Sequence, residues 1–304
     1  MTNNTAVLTP LTLTLEWFLN PDHLPFIAGI HTGAYKKAGL DITMIEPTEH
    51  YDGFSELQAG HIDLHVNEPI HLFEHHFDDL KALGCFFVTD GGVMMKQSSM
   101  EKLHTNQPIR ITTPAANSIT NKIGFEILHR YAKQNGFALD RDNVEFVETD
   151  FQHLENLQKG DAHGGFDGAW LCFYNFEGIE ANHIGLDYTF IDQNLSPYPN
   201  FSALELMTTH STFNDKQAAI EQFVRVSTEM SQLCINNPEQ AREIYYGYTG
   251  EESSALMDDI INDTLKRLIT PIKPDNARWL ALRDMLTTLD IAAVSDAQYA
   301  KLWQ

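Results

Sequence analysis

Cysteines, basic residues and long apolar runs are all scarce in this chain of 304 residues. The three cysteines (Cys85, Cys172 and Cys234) show no C-x-x-C spacing, so neither a disulfide framework nor a zinc knuckle is expected. No apolar run approaches the roughly 18 residues of a membrane-spanning helix, so we expect no span. The first residues lack the basic and apolar regions of an export signal. We therefore expect a cytoplasmic protein as the sequence stands, or a periplasmic one if an export signal was removed.

The charge balance is strongly acidic. The sequence has 20 Lys and Arg residues against 42 Asp and Glu residues, which gives a formal net charge of -22. Such a field repels phosphate backbones and anionic membranes, so nucleic acid is not an expected partner. Hydrophobic residues make up 43% of the chain, a composition typical of a globular protein long enough for two domains.

Strands and helices alternate in the first two thirds of the chain, and helices follow. Predicted strands lie at Thr12–Trp17, Asp41–Ile45, His61–Val66, Cys85–Val88, Ile109–Thr112, Val144–Val147 and Gly165–Leu171. Predicted helices lie at Pro25–Ala38, Tyr51–Ala59, Pro69–Leu80, Lys122–Gln134 and Phe151–Gln158, and then at Lys216–Asn236, Pro238–Gly247, Glu252–Lys266 and Pro274–Leu289. This order predicts two α/β lobes, each with a parallel sheet, and a C-terminal helical wrap.

The return of the chain to the first lobe predicts the domain boundaries. We expect residues 1–95 and 206–304 to form lobe 1 and residues 96–205 to form lobe 2, with hinge crossovers near Gly91–Lys96 and Asn200–Met207. Ligands of such two-lobed proteins bind between the lobes, at the carboxyl ends of strands. We therefore expect a small molecule in that cleft.

Three segments resemble one family, the pyrimidine-precursor-binding proteins of ABC transporters and the hydroxymethylpyrimidine phosphate synthases of thiamine biosynthesis. They are LEWFLNPDHLPFIAGIHTGAYKKAGLDITMIEP at residues 15–47, GHIDLHVNEPIH at 60–71 and GAWLCFYNFEGIEA at 168–181. The resemblance is strongest over the first 70 residues and is only architectural beyond about residue 205. It implies a type II periplasmic-binding-protein fold with two Rossmann-like lobes, and an ABC transporter permease as a partner.

The same resemblance raises the question of catalysis. The synthases carry a lysine that takes pyridoxal phosphate, a histidine that supplies chemistry, and a cysteine-rich loop. His71 matches the histidine, but Asn67 stands at the lysine position and the chain has no cysteine-rich run. Without that amine no Schiff base forms, so we expect no cofactor and favour a binding protein. If the chain is an enzyme on this scaffold, His71 is its predicted catalytic residue.

Candidate ligand-binding residues in the first lobe follow two predicted strands. The flat ring of Trp17 suits stacking on a heteroaromatic ligand, although a tryptophan at a strand end is often core. The following loop offers Asn20, Asp22 and His23, where His23 could equally cap the next helix. After the later strand, Asn67 and Glu68 offer an amide and a carboxylate, with helix capping as the alternative role.

A histidine cluster on the following helix raises the possibility of a metal. His71 and His75 are four residues apart, with Glu74 and His76 beside them. A good metal site needs three or four ligands, no H-E-x-x-H order is present, and histidines are frequent in this chain. We therefore expect His71 to face the ligand and no metal to bind.

The second lobe offers a comparable set of candidate residues. Small polar residues before a helix, Thr113 and Asn117 among them, could hold an anionic group or only cap the helix. The end of the last predicted strand and the segment after it supply Trp170, Tyr174, Asn175 and Glu177 as aromatic walls and polar anchors. Tyr198 lies at the second crossover and is expected to contact the ligand or the hinge. The sequence therefore predicts a solute-binding protein for a heteroaromatic compound, with a thiamine pyrimidine precursor favoured.

Overall fold

The computed structural model describes residues 7–47, 51–159 and 165–304. The chain divides into two compact units. The first unit comprises the residues up to Val88 together with Ala203–Thr287 and Ala292–Gln304, and the second comprises Thr89–Ser202 and Thr288–Ile291. Each unit contains a five-stranded sheet with helices, so the predicted two-lobed α/β class is confirmed.

The first unit begins with alternating strands and helices. These are β1 (Thr9–Thr14), α1 (Leu24–His31), α2 (Ala34–Lys37), β2 (Leu40–Ile45), α3 (Gly53–Gln58), β3 (Leu64–Asn67), α4 (Pro69–Glu74) and β4 (Leu80–Val88). A short 3₁₀ turn, Pro21–His23, precedes α1. Pro69 occupies the first turn of α4, where its missing N–H costs nothing.

The second unit repeats the alternation. Its elements are β5 (Gly91–Lys96), α5 (Met100–His104), β6 (Ile109–Thr113), α6 (Ser118–Asn135), β7 (Val144–Glu148), α7 (His153–Gln158), β8 (Gly168–Phe173), α8 (Ile179–His183) and β9 (Tyr188–Ile191). Between β8 and α8 the segment Tyr174–Gly178 forms one turn of π-helix. Such turns are rare and occur often at functional sites.

The chain then returns to the first unit. It forms β10 (Ala203–Thr209), α9 (His210–Asn236), α10 (Pro238–Thr249), α11 (Ala255–Arg267), α12 (Leu280–Thr288) and α13 (Asp296–Leu302). Most of this helical region belongs to the first unit, as predicted for the C-terminal wrap. Within the described residues, no helix has both the length and the apolar character to cross a membrane.

Both sheets are mixed, which corrects the prediction of parallel sheets. The strand orders are β2-β1-β3-β10-β4 and β7-β6-β8-β5-β9. Strand β10 runs antiparallel to β3 and β4, and β5 runs antiparallel to β8 and β9. Strand β9 is not among the predicted elements, and β5 and β10 lie where the two crossovers are predicted. Because β5 pairs within the second sheet, the chain leaves the first unit after Val88 rather than at residue 95.

Parallel pairing brings the ends of particular strands together. In the first sheet β1 pairs with β3, with Thr14 opposite His65. In the second sheet β6 pairs in parallel with β8. The carboxyl ends of parallel neighbours meet at one edge of a sheet. Each unit therefore gathers its strand-end loops at such an edge.

Aromatic packing joins the C-terminal wrap to the first unit. Tyr35 stacks on Phe223 of α9 with ring centroids 5.0 Å apart, and Phe26 of α1 stacks on the same ring at 5.6 Å. The buried hydroxyls of Tyr35 and Ser227 are hydrogen-bonded at 2.7 Å, so burial leaves neither unsatisfied. Fully burying a phenylalanine stabilises a fold by about 1.5–3 kcal/mol.

A close backbone approach predicts that Gly84→Ala destabilises the first unit. Gly84 has φ +144°, and a Cβ there would lie 2.5 Å from the backbone nitrogen of Lys273. We expect the free energy of unfolding in urea to fall by about 2–3 kcal/mol, because strain and clash combine. Gly60→Ala is the control, since Gly60 also has positive φ, +74°, but open space around it. It should cost only about 1 kcal/mol; equal losses would contradict the clash.

Candidate ligand-binding surfaces

The loop after β1 is held by a buried histidine. His23 is fully buried, its Nε2 lies 3.0 Å from a Glu16 carboxylate oxygen, and its Nδ1 accepts the Asn20 N–H at 3.2 Å. Both ring nitrogens are therefore engaged within the loop. The His23 side chain does not cap α1, so that alternative is wrong; it completes the capping box of the 3₁₀ turn with Asn20. Its contact with a ligand stays a prediction.

Asn20 and Asp22 also serve the loop itself. Asn20 accepts the Asp22 N–H at 2.9 Å and donates to the carbonyl of Phe18 at 2.9 Å. Asp22 is 7% exposed and accepts a hydrogen bond from Thr264 of α11 at 3.1 Å. Its carboxylate therefore joins the loop to the C-terminal helices, and the contact of Asp22 with a ligand stays a prediction. Asn20 is half-buried, and its predicted ligand contact remains untested.

The same loop leaves two aromatic rings at the surface. Trp17 is 43% exposed and Phe18 is 61% exposed. Their ring centroids lie 5.0 Å apart in an edge-to-face arrangement. The alternative that Trp17 is a core residue is therefore wrong, and its indole is accessible for stacking. Sequence reasoning missed Phe18, although two adjacent aromatics after a strand were a visible signal.

A second buried histidine, His65, lies near the end of β3. His65 is 2% exposed, and its Nδ1 lies 2.8 Å from the Thr14 hydroxyl and 3.3 Å from the Thr14 carbonyl. Asn67 donates from Nδ2 to the opposite nitrogen, Nε2, at 3.1 Å. Since Nε2 accepts, the proton belongs on Nδ1 and the ring is neutral. Burial lowers the pKa of His65 to about 4, in agreement with this state.

Asn67 links His65 to the turn before α4. Its Oδ1 accepts the backbone N–H of Glu68 at 2.8 Å while its amide group donates to His65. Asn67 does not cap α4, because the N-cap position belongs to Glu68, whose side chain forms no cap hydrogen bond. The alternative capping role weighed for Asn67 is therefore wrong.

Glu68 presents an unusual carboxyl group. It is half-buried, and no residue within 7–47, 51–159 or 165–304 hydrogen-bonds its side chain. Burial raises the pKa of Glu68 to about 7, with His71 lowering it and Glu16 raising it. Near neutral pH this group therefore exists both as an acceptor-only carboxylate and as an acid that also donates.

His71 and its neighbours line the adjoining face of α4. His71 Nδ1 lies 2.9 Å from a Glu74 carboxylate oxygen, and the His71 side chain is 34% exposed. The rings of His71 and His75 are 5.6 Å apart, and His75 stacks on Phe54 at 5.1 Å. The His71 side chain is therefore accessible near Glu68, and its contact with a ligand stays a prediction.

In the second unit, a strained residue reshapes β8. Leu171 has φ +62°, a left-handed conformation that is costly for leucine. The pairing register with β5 shifts there, since Gly92 lies opposite Cys172 and Val93 opposite Trp170. Leu171 is thus the extra residue of a β-bulge. Bulges re-aim side chains and, like backbone strain, are common near functional sites.

Four predicted contacts of the second unit are buried, and their contact with a ligand stays a prediction. Trp170 is 1% exposed and donates from Nε1 to the Thr120 carbonyl at 3.0 Å, so its ring belongs to the core. Asn175 and Thr113 are fully buried, and Asn175 accepts from the Thr89 hydroxyl at 2.8 Å. Tyr198 is 5% exposed and donates its hydroxyl to the Gly91 carbonyl, so it fastens the crossover strand.

Asn117 follows the alternative that the sequence analysis left open. It is exposed and accepts the N–H groups of Ile119 and Thr120 at 2.9 Å each, as the N-cap of α6. Its side-chain oxygen is thus engaged in ordinary helix capping. The prediction that it holds an anionic group gains no support from this geometry.

Tyr174 and Glu177 are the predicted residues of the second unit that stay partly accessible. Tyr174 is half-buried and meets Phe190 edge to face at 5.7 Å. Glu177 is half-buried and accepts the Phe173 N–H at 2.7 Å. Burial raises the pKa of Glu177 to about 7, although the hydrogen bond from the Phe173 N–H lowers this pKa. Each unit therefore carries an accessible aromatic ring and a glutamate that titrates near neutral pH.

Comparison with known proteins places these features in a family. The profile of the family described as "NMT1/THI5 like" matches residues 20–241. A formylaminopyrimidine-binding protein of Halalkalibacterium halodurans is 17% identical over 86% of this chain and 77% of its own length. A 4-amino-5-hydroxymethyl-2-methylpyrimidine phosphate synthase of Legionella pneumophila is 21% identical over 84% of this chain and 78% of its own length.

A solved structure with the same fold confirms the predicted fold type. The periplasmic aliphatic sulphonate binding protein of Escherichia coli superposes with a TM-score of 0.68 at 16% identity. The superposition covers 97% of this chain and 98% of that one. At this identity the likeness establishes the periplasmic-binding-protein fold and not the ligand.

The buried neutral state of His65 predicts an acid-sensitive stability. In the unfolded chain a histidine takes up a proton near pH 6.5, whereas folded His65 does so only near pH 4. The unfolded state therefore binds more protons as the pH falls below about 6.5, and stability is lost. From this site we expect a loss of about 2 kcal/mol between pH 7 and pH 5. His65→Gln should remove that part of the pH dependence in urea unfolding; an unchanged slope would contradict it.

Proposed function

The chain belongs to the NMT1/THI5-like family, and from that membership we propose that it binds a small heteroaromatic solute, with a thiamine pyrimidine precursor as the favoured ligand. The fold supports a solute-binding role, and the formylaminopyrimidine-binding relative supports the class of ligand. An ABC transporter permease stays a predicted partner.

The Glu68 carboxyl group is the observation that favours an aminopyrimidine as the ligand. An aminopyrimidine offers an N–H donor beside a ring-nitrogen acceptor. A carboxyl group whose pKa is about 7 matches that edge, because the acid accepts with one oxygen and donates with the other. Such a pair satisfies a half-buried polar group that lacks a partner among the described residues.

The exposed indole of Trp17 supplies the stacking surface in this proposal. Glu16, its neighbour in sequence, lies close enough to Glu68 to raise the pKa of Glu68. The loop after β1 and the turn before α4 therefore border the same region of the first unit. A planar ligand bonded to Glu68 would have an aromatic face within this region, and stacking contributes about 0.5–1.5 kcal/mol.

Tyr174 and Glu177 are proposed as a second pair of ligand contacts. Their support is the strained bulge at Leu171 and the π-helical turn, which together present both side chains at the end of β8. The expectation that one ligand lies between the two lobes stays a prediction. Binding measurements on Tyr174→Ala, compared with Trp17→Ala, address it.

An enzyme on the same scaffold is the second candidate function. The synthase relative and the match of His71 to the family's histidine favour it. Asn67 opposes the synthase chemistry, because it has no amine and its amide is engaged by His65 and the backbone of Glu68. Incubating the protein with a methyl-aminopyrimidine and following the compound by chromatography decides between the two. Turnover would favour the enzyme.

We expect a methyl-aminopyrimidine to raise the melting temperature of the protein, since a ligand that binds only the folded state stabilises it. Trp17→Ala should weaken binding about tenfold in calorimetry through lost stacking. Leu280→Ala is the matched control, because Leu280 is 42% exposed against 43% for Trp17. An equal loss in the control, or no thermal shift in the wild type, would count against the ligand.

The chemistry proposed for Glu68 is tested by two substitutions of similar size. Glu68→Met removes every donor and acceptor and should weaken binding about tenfold or more. Glu68→Gln keeps one oxygen acceptor and an N–H donor, so it should retain most of the affinity. If Gln and Met weaken binding equally, the proposed pairing of the carboxyl group with an aminopyrimidine edge is wrong.

A further inference from the structure

We propose that His71, Glu74 and His75 form a binding site for a divalent transition-metal ion, with zinc as the best-matched ion. Each residue offers one ligand atom, and the three atoms lie within 4.8 Å of one another. The sequence predicted no metal here, because a good site needs three or four ligands, no H-E-x-x-H order is present and histidines are frequent in this chain. The structure brings a ligand atom of Glu74 close to those of both histidines.

The spacing of the three residues explains why they meet. His71 and Glu74 lie one turn apart on α4, and His75 follows at its C-cap. Residues at i, i+3 and i+4 share one helix face, with side chains close enough to hold one ion. His71 and His75 also have the i, i+4 spacing of the two zinc-binding histidines in helical zinc motifs.

Local contacts orient the side chains whose atoms would bind an ion. His71 Nδ1 lies 2.9 Å from a Glu74 carboxylate oxygen. This separation allows one ion to bind both atoms in place of the hydrogen bond, at the usual zinc distances of about 2.0–2.2 Å. His75 stacks on Phe54 with an interplanar angle of 23°, and none of the described residues hydrogen-bonds its ring nitrogens.

The donor set selects the class of metal. Two imidazole nitrogens and one carboxylate oxygen suit zinc and its transition-metal neighbours, whereas calcium and magnesium prefer oxygen donors alone. Three protein ligands leave a fourth position for water or a solute. The side chains of His71 and Glu74 are 34% and 23% exposed, so solvent can reach such a position.

Electrostatics also favour a cation here. A carboxyl group must be ionised to bind a metal, and the hydrogen bond from His71 at 2.9 Å favours that form of Glu74. The formal net charge of -22 adds an attractive field for cations around the whole chain.

Calorimetric titration of tag-free protein with zinc chloride, without any pyrimidine present, tests the proposal. We expect one zinc site in the wild type. Glu74→Gln and His75→Gln should each weaken zinc binding about tenfold or more. His76→Gln is the matched control, because His76 is adjacent and half-buried but outside the cluster. Its affinity for zinc should equal that of the wild type.

Cobalt provides a second readout that does not depend on heat. Cobalt bound by two histidines and a carboxylate should give visible absorption bands, which Glu74→Gln and His75→Gln should lose and His76→Gln should keep. Circular dichroism checks that each variant is folded. Equal zinc affinity in all variants, an equal loss in His76→Gln, or no zinc binding in the wild type would overturn the proposal. Pyrimidine titrations with a chelator present keep the outcome separate from that of the proposed function.

Discussion

The parallel pairing of β1 with β3 organises the polar region of the first unit. It sets Thr14 opposite His65, so that Thr14 accepts from the buried imidazole and fixes its proton on Nδ1. His65 in turn accepts from Asn67, and Asn67 holds the N–H of Glu68. One register between two strands thereby decides how the turn before α4 presents its carboxyl group.

Partial burial gives that carboxyl group its chemical character. Desolvation penalises a charged carboxylate, and the pKa of Glu68 rises to about 7. In the second unit, burial likewise raises the pKa of Glu177 to about 7, although Glu177 accepts a backbone N–H whereas Glu68 has only the nearby charge of His71 to lower its pKa. Each unit thus carries a glutamate whose pKa is raised by burial, and each of these glutamates follows the end of a strand in its own sheet.

Several polar and aromatic residues that suggested a binding site instead hold the scaffold. His23, Asp22 and Trp170 are buried, and each satisfies its polar atoms with a neighbour in its own unit. Buried polar groups are paired in folded proteins, and these pairs hold the loops in place. The bulge at Leu171 adds a strain that composition and periodicity do not reveal, because the side chain is an ordinary strand former.

The sequence by itself determined the α/β class, the alternation of elements, the helical wrap and the family, since these depend on local periodicity and on contiguous motifs. It also identified Trp17, Glu68, His71 and Glu177 as candidate residues. Tertiary structure decided which candidates stay accessible and placed β5 and β10 as antiparallel strands. Exposure and strand partnership depend on residues distant in the chain, so they follow only from the packed fold.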